Sequence, residues 1–266
     1  MKSEHFTCRV EGISKDFGAV KAVRDISFDV VPGQVFGLLG PNGSGKSTTL
    51  HILTGLLEAS QGLVTVSGFP IEDKKSRVFL GFAPDDLPLP LSLTGREYLE
   101  LHHRIRRRSD GAEAAQLAEA LGLTPALTRS ISEYSHGMKR KLQLIAAVMH
   151  KPSLLILDEP FRGLDPEAAA VLRELIAVFT GSGGSVLIAT HDMLRAERDC
   201  DQVMILHQGA QIALGSPAAL KEEYGSAETL EAVFLHVTKL TEQQEQRRRH
   251  LHAALRSGPA KEMNNE

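Results

Sequence analysis

The segment Gly40-Pro41-Asn42-Gly43-Ser44-Gly45-Lys46-Ser47, followed by Thr48, limits this chain more than any other stretch. It follows directly on the apolar run Val35–Leu39 and opens a stretch, Ser47 to about Leu56, that reads as helix. A strand that runs into a glycine-rich loop and leaves it as a helix turns main-chain N–H groups toward an anion. Glycine lets the backbone come close, successive amides form a concave nest, and the helix N-terminus adds partial positive charge. In such a nest Lys46 reaches the terminal phosphates of a nucleotide and the Ser47 hydroxyl is a ligand for Mg²⁺. A glycine turn that merely opens a helix is the alternative. The strand before and the helix after favour the phosphate reading.

A second apolar run, Leu154-Leu155-Ile156-Leu157, ends in Asp158-Glu159-Pro160. Two adjacent acids are costly to bury without a cation. Asp158 at a strand end suits Mg²⁺ held through its water shell. Glu159 beside it suits polarising an attacking water or accepting its proton. Taken alone, the pair reads equally well as a solvated strand end; beside a phosphate loop, the metal site accounts for it better.

The rest of the chain alternates in the same manner. Phe6–Val10, Ile26–Val31, Gly62–Val66 and Val78–Phe82 read as strands, as do Leu154–Leu157, Val186–Ala189 and Val203–Leu206. Thr94 and Glu97 have capping-box spacing, and Gly111–Leu121 is rich in helix formers. Leu142, Ile145, Ala146 and Met149 lie on one helical face. Apolar strands alternating with helices predict an α/β fold whose parallel sheet is covered on both faces. The expected organisation is a domain over 1–240 with a helical subdomain near 86–150, then a polar tail over 241–266. At 42% hydrophobic and 24% charged over 266 residues there is ample material for a core. A net charge of −3 supplies no basic field, so nucleic acid is not an expected partner. Cys8 and Cys200 have no disulfide or zinc spacing. The N-terminus lacks a signal-peptide core, and no run approaches the about 18 apolar residues of a membrane span. A membrane role therefore calls for a separate membrane partner.

With both motifs placed, the chain resembles the nucleotide-binding subunit of an ATP-binding cassette (ABC) transporter. Further matches follow in that family's order. Tyr134-Ser135-His136-Gly137-Met138 stands where the family carries its signature, Gly163-Leu164-Asp165-Pro166 matches its D-loop, and His191 its switch histidine. Phe17 stands where an aromatic stacks on adenine, with a core or edge aromatic as the plain alternative. The resemblance covers roughly residues 6–236 and implies a P-loop NTPase fold of ABC type. That fold has a mainly parallel core sheet, an antiparallel β region and a helical subdomain.

It implies ATP and Mg²⁺ as cofactors, with Glu159 and His191 arranging the attacking water. It further implies a head-to-tail homodimer or heterodimer in which Ser135 and Gly137 of one subunit close on the γ-phosphate held by the other. A plain reading of Ser135 as the N-cap of a helix is compatible with that role. An integral membrane permease would be the partner, and the place of work the cytoplasmic face of a bacterial membrane. The Tyr-Ser-x-Gly-Met form and the ending Leu230–Leu235 resemble the export-type branch.

The chain also departs from the family. Asp85 stands at the glutamine of the Q-loop; a carboxylate there approaches Mg²⁺ or water but donates no hydrogen bond. His136 and Met138 replace two signature residues, and Phe161-Arg162 replaces a usually small or polar pair, with Arg162 read as an exposed arginine. The basic cluster over His102–Arg108 reads as a solvated helix end ahead of a lipid contact, and Arg247–Arg249 as solvated. A ribosome- or DNA-directed ABC ATPase is the second reading; it lacks the paired domains or long coiled coil of such proteins. A P-loop kinase or GTPase is the third, opposed by the signature stretch and His191.

Overall fold

The computed structural model describes residues 6–85, 88–106, 111–225 and 227–238. The expected tail over 241–266, with Arg247–Arg249, and Arg107 and Arg108 of the basic cluster lie outside the described residues. In chain order the elements begin with β1 (Cys8–Phe17), β2 (Val20–Val30), β3 (Val35–Leu39), α1 (Lys46–Leu53), β4 (Gln61–Val66), β5 (Phe69–Pro70) and β6 (Leu80–Ala83). Three helices follow, α2 (Gly95–Arg106), α3 (Gly111–Ala120) and α4 (His136–Val148). The chain then alternates through β7 (Leu154–Asp158), α5 (Pro166–Gly181), β8 (Ser185–Thr190), α6 (Met193–Asp199) and β9 (Gln202–His207). It closes with β10 (Ala210–Gly215), α7 (Pro217–Glu223) and α8 (Leu230–Val237).

The strands form one sheet in the order β5-β4-β1-β2-β10-β9-β3-β8-β7-β6. From β9 to β6 the pairing is parallel, with Phe36 opposite Leu187, and Leu155 opposite Val186. The other end is antiparallel and joins the core through a parallel bridge between Ala210 and Arg24. Strand alternation sorts the apolar runs onto two faces. Leu155, Leu157, Val186 and Ile188 face a cluster with α4, α5, α6 and α8. Leu154, Ile156, Leu187 and Ala189 face α1 and the antiparallel strands. A third cluster, with Tyr98, Leu99, Ala118, Leu142, Ile145 and Met149, packs α2, α3 and α4 on one another. The core strands therefore have no solvated face, which is why their sequences are continuously apolar.

Helix starts follow their caps. The Thr94 N–H and hydroxyl donate to Glu97 Oε2 at 2.7 and 2.9 Å, and the Glu97 N–H returns to Thr94 Oγ1 at 3.2 Å, a reciprocal capping box. Asp165 accepts from the Ala168 N–H at 2.8 Å, with Pro166 in the first turn of α5.

Several elements differ from the sequence expectation. The first helix stops at Leu53, not Leu56, because Gly55 turns left-handed at φ +68° and the N–H groups of Gly55 and Leu56 fold back onto the carbonyls of Ile52 (3.0 Å) and His51 (2.9 Å). Where a strand is expected over Val78–Phe82, Ser76–Phe79 winds into a 3₁₀ turn and the strand starts at Leu80. The buried Ser76 hydroxyl enforces the turn by donating to the carbonyls of Ile71 (3.2 Å) and Asp73 (2.7 Å). β10, α7 and α8 were not predicted.

Candidate active site

The functional residues gather at the carboxyl ends of β3, β6, β7 and β8, the end of an open α/β sheet where ligands settle. β3 runs into the loop 40–45, and α1 starts at Lys46 with Gly45 as its N-cap at φ +106°. A Cβ on Gly45 would stand 2.6 Å from the Ala22 carbonyl oxygen, so both the angle and the space require glycine. The loop walls a cleft of about 450 Å³, with Asn42, Lys46, Ser47 and Thr48 on one side and Val20 and Arg24 on the other.

Lys46 is 7% exposed. Its ammonium donates to the carbonyls of Gly40 at 2.7 Å and Pro41 at 3.2 Å. Burial lowers its pKa, and the charges of Glu159 and Asp158 act in the opposite sense. The buried Ser44 hydroxyl has no hydrogen-bond partner among the described residues. A lone lysine occupied with the loop's own carbonyls and an unsatisfied hydroxyl beside it mark a nest shaped for something that accepts hydrogen bonds.

Asp158 closes β7. Burial raises its pKa, the charges of Glu159 and Asp85 add to the rise, and Lys46 and Arg140 oppose it. Such clustered carboxylates are relieved by a cation. Glu159 sits at φ +43°, an uncommon angle for a residue with a side chain. Its N–H donates to the Ala189 carbonyl at 2.8 Å. Its carboxylate accepts from the Thr190 hydroxyl at 2.8 Å, the His191 N–H at 3.0 Å and His191 Nδ1 at 2.7 Å. An ionised carboxylate only accepts, so Nδ1 carries the proton and Nε2 is left for another partner. This arrangement fixes an acid and an imidazole side by side, the equipment for orienting a water and taking its proton.

Two residues important to this geometry were not singled out in the sequence. Thr190, 5% exposed, ties Glu159 to β8. Arg140, 4% exposed, donates to the carbonyls of Pro84 and Asp158, each at 2.6 Å, and so joins the ends of β6 and β7. Burial lowers its pKa while Asp85, Asp158 and Glu159 pull it back. A signal for Arg140 existed: it shares a helical stripe with Leu144, Ala147 and Val148, a charge on a face otherwise turned to the core.

The remaining expected site residues are dispersed. Asp85 is paired with Arg162, whose Nη1 donates to Asp85 Oδ2 at 2.6 Å; the Arg162 side chain is 67% exposed. Ser135 is the N-cap of α4, accepting from the Met138 N–H at 3.2 Å, and a Cβ on Gly137 would meet nothing within 4 Å. Neither lines the cleft of its own chain. Phe17 is 51% exposed at the end of β1 with the Lys15 ammonium 5.4 Å from its ring, and it stands outside the cleft that Val20 lines.

A phosphate nest after a central parallel strand, with carboxylates at the end of the next strand but one, defines a P-loop nucleotide-hydrolysing domain. Residues 23–162 match the ABC transporter family, and the chain belongs to it. It is 37% identical over 222 residues to the linearmycin resistance ATP-binding protein LnrL of Bacillus subtilis, covering 82% of this chain and 71% of that protein. It is 36% identical over 236 residues to the Nod factor export ATP-binding protein I of Bradyrhizobium diazoefficiens, covering 87% and 77%. The solved structure of an ABC transporter ATP-binding subunit superposes with a TM-score of 0.82 at 31% identity, over 87% of this chain and 99% of that one. A nucleotide-free ATP-binding cassette gives 0.74 at 25% identity, over 85% and 98%. The chain is thus an ATP-binding subunit that hydrolyses ATP to power transport, pairs with a second nucleotide domain and works with a membrane permease. Among the described residues no helix is long and apolar enough to cross a membrane.

Proposed function

We propose that this chain drives export, clasping ATP in the loop Gly40–Thr48 and cleaving it with Glu159 and His191. The observation that carries the reading is the nest itself: a buried lysine turned onto loop carbonyls beside the partnerless Ser44 hydroxyl. A phosphate entering there offers acceptors to both groups. Asn42, Gly43, Gly45 and Thr48 complete the wall, and Gly40 and Pro41 supply the carbonyls that Lys46 would leave. Phe17 stacks on the base from the hairpin beside the cleft.

The donor set also fits Mg²⁺. Ser47 is exposed at the start of α1, and Asp158 has its pKa raised by burial and then by the charges of Glu159 and Asp85, which a cation would relieve. Ser47 and Asp158 would hold the ion, with Asp85 as a further ligand through the carboxylate oxygen that Arg162 does not hold. Bound there, the ion neutralises charge on the phosphates. Glu159 accepts the proton of the attacking water, and His191 orients it through Nε2. Pre-set amides and charges supply most of the rate enhancement.

Ser135 and Gly137 face outward, which suits closure onto the nucleotide of an opposed subunit in a head-to-tail dimer. The permease is a separate membrane-spanning chain, and this subunit is peripheral to it at the cytoplasmic face of the membrane. A relative named for Nod factor export supports the outward direction, and one named for linearmycin resistance is in keeping with it. The permease selects the cargo.

Lys46→Ala tests the core of the reading. Removing a charge-assisted hydrogen-bond donor should weaken fluorescent-ATP binding by at least about tenfold. Affinity equal to wild type would remove the loop from the proposal.

A further inference from the structure

Asp85 and Arg162 are separate departures from the family's usual residues, 77 positions apart, and they meet in a 2.6 Å ion pair. Asp85 follows β6 at the entrance to the segment that leads into α2, α3 and α4. Arg162 lies one turn beyond Glu159: its own N–H donates to the Glu159 carbonyl at 3.1 Å. The guanidinium is thereby fastened through a single turn to the acid that sits at φ +43°. The next residue, Gly163, lies against the His136 imidazole, 3.3 Å from where a Cβ would stand, so the same turn also touches the start of α4.

Charge explains why the two residues belong together. An amide after β6 would need no counterion. A carboxylate there joins Asp158 and Glu159, and Asp85 is among the charges acting on both Asp158 and Arg140. The charge of Lys46 acts with Asp158 and Glu159, and that of Arg140 with all three acids, but neither is in an ion pair with Asp85. Arg162 supplies the cation in direct contact with it.

We propose that Arg162 is a positioning residue that acts through Asp85. It ties the loop after β6 to the turn carrying Glu159, so that a shift at the entrance to the helical layer reaches the catalytic acid. This rests on the reading of Glu159 as the acid that activates water. The Arg162 side chain is 67% exposed and Asp85 25%, so the tether is weak and adjustable rather than a stability element.

Hydrogen exchange on the nucleotide-free protein tests it without requiring turnover. In Arg162→Ala, peptides containing Asp85 and peptides containing Glu159 should both exchange about two- to fivefold faster. Asp85→Arg combined with Arg162→Asp should restore the wild-type rates, while either reversal alone does not. The ATPase of Arg162→Ala should show a lowered kcat with KM for ATP unchanged. Unchanged exchange in Arg162→Ala, a change confined to one of the two segments, or a raised KM with kcat intact would each overturn the tether. Wild-type turnover in Glu159→Gln would instead overturn the catalytic reading and leave the exchange result standing.

Discussion

At the scale of single residues, the position of Glu159 is decided by a neighbour that no motif includes. The Thr190 hydroxyl donates to Glu159 Oε2 at 2.8 Å and accepts the Asp192 N–H at 3.1 Å, so it links the acid to the start of α6. Thr190→Val keeps shape and burial but leaves a carboxylate oxygen without its donor, worth about 1–2 kcal/mol. If that loss falls on the reacting geometry, turnover should drop about five- to thirtyfold with KM for ATP near wild type. Thr190→Ser should retain most of the rate. Wild-type turnover in the valine variant with a defect in the serine variant, read by steady-state ATPase assays, would show that the methyl group and not the hydroxyl matters.

Phosphate-loop and strand-end residues were legible because their chemistry is local: Lys46, Ser47, Asp158 and Glu159 lie within two short runs. Thr190 and Arg140 were not, because their partners stand 31 and 18 to 56 positions away. Only the fold brings the ends of β6, β7 and β8 together. The Asp85–Arg162 pair was hidden for the same reason, although each residue was noticed alone.

At the scale of elements, long periodic segments were readable and short ones were not. α4 announced itself through a wide apolar face, and β7 and β8 through continuous apolar runs. α7 and α8 have only 7 and 8 residues, too short for periodicity to separate helix from loop. Their caps, Ser216 and Thr229, were the available signals, accepting from the Ala219 and Ala232 N–H groups at 3.2 Å. What holds these short helices is tertiary. Glu197 on α6 forms an ion pair with Lys221 of α7 and accepts the Leu230 N–H at the start of α8 at 3.0 Å. Burial pushes its pKa up, but the bonds from Lys221 and Leu230 outweigh it and hold the carboxyl below the usual range.

A depressed carboxylate pKa stabilises the fold above the unfolded value of about 4.3 and loses that contribution as pH falls through the folded value. Glu197→Ala should therefore cost about 1–2 kcal/mol at pH 7, a few degrees of Tm. The gap from wild type should narrow steadily as thermal scans are taken below about pH 4. A gap that stays constant into acid would mean the three-helix junction relies on packing rather than on the ionised Glu197.

At the scale of the molecule, the fold splits its proposed catalytic equipment between two faces. The nest lines one cleft, Asp158 and Glu159 act on its Lys46 and His191 is bonded to Glu159, while Ser135 and Gly137 do not line that cleft. A single copy therefore lacks a second anion receptor over its phosphates, and a head-to-tail pair would supply it at both sites at once. The sequence points to both receptors; that Ser135 and Gly137 stand outside the cleft lined by Lys46 and Ser47 is a fact of the fold.

Two variants separate binding from closure. Glu159→Gln keeps the size of the side chain, so it should bind ATP, hydrolyse it at least about a hundredfold more slowly, and accumulate as a dimer with MgATP in light scattering. Ser135→Arg places a long cation where two protomers would meet. It should bind nucleotide as the wild-type monomer does, lose hydrolysis, and keep the Glu159→Gln double variant monomeric. Loss of the cap bond to Met138 removes about 1 kcal/mol from α4, too little to unfold a domain of this size. Ser135→Arg that still turns over at the wild-type rate would place both active sites within single chains.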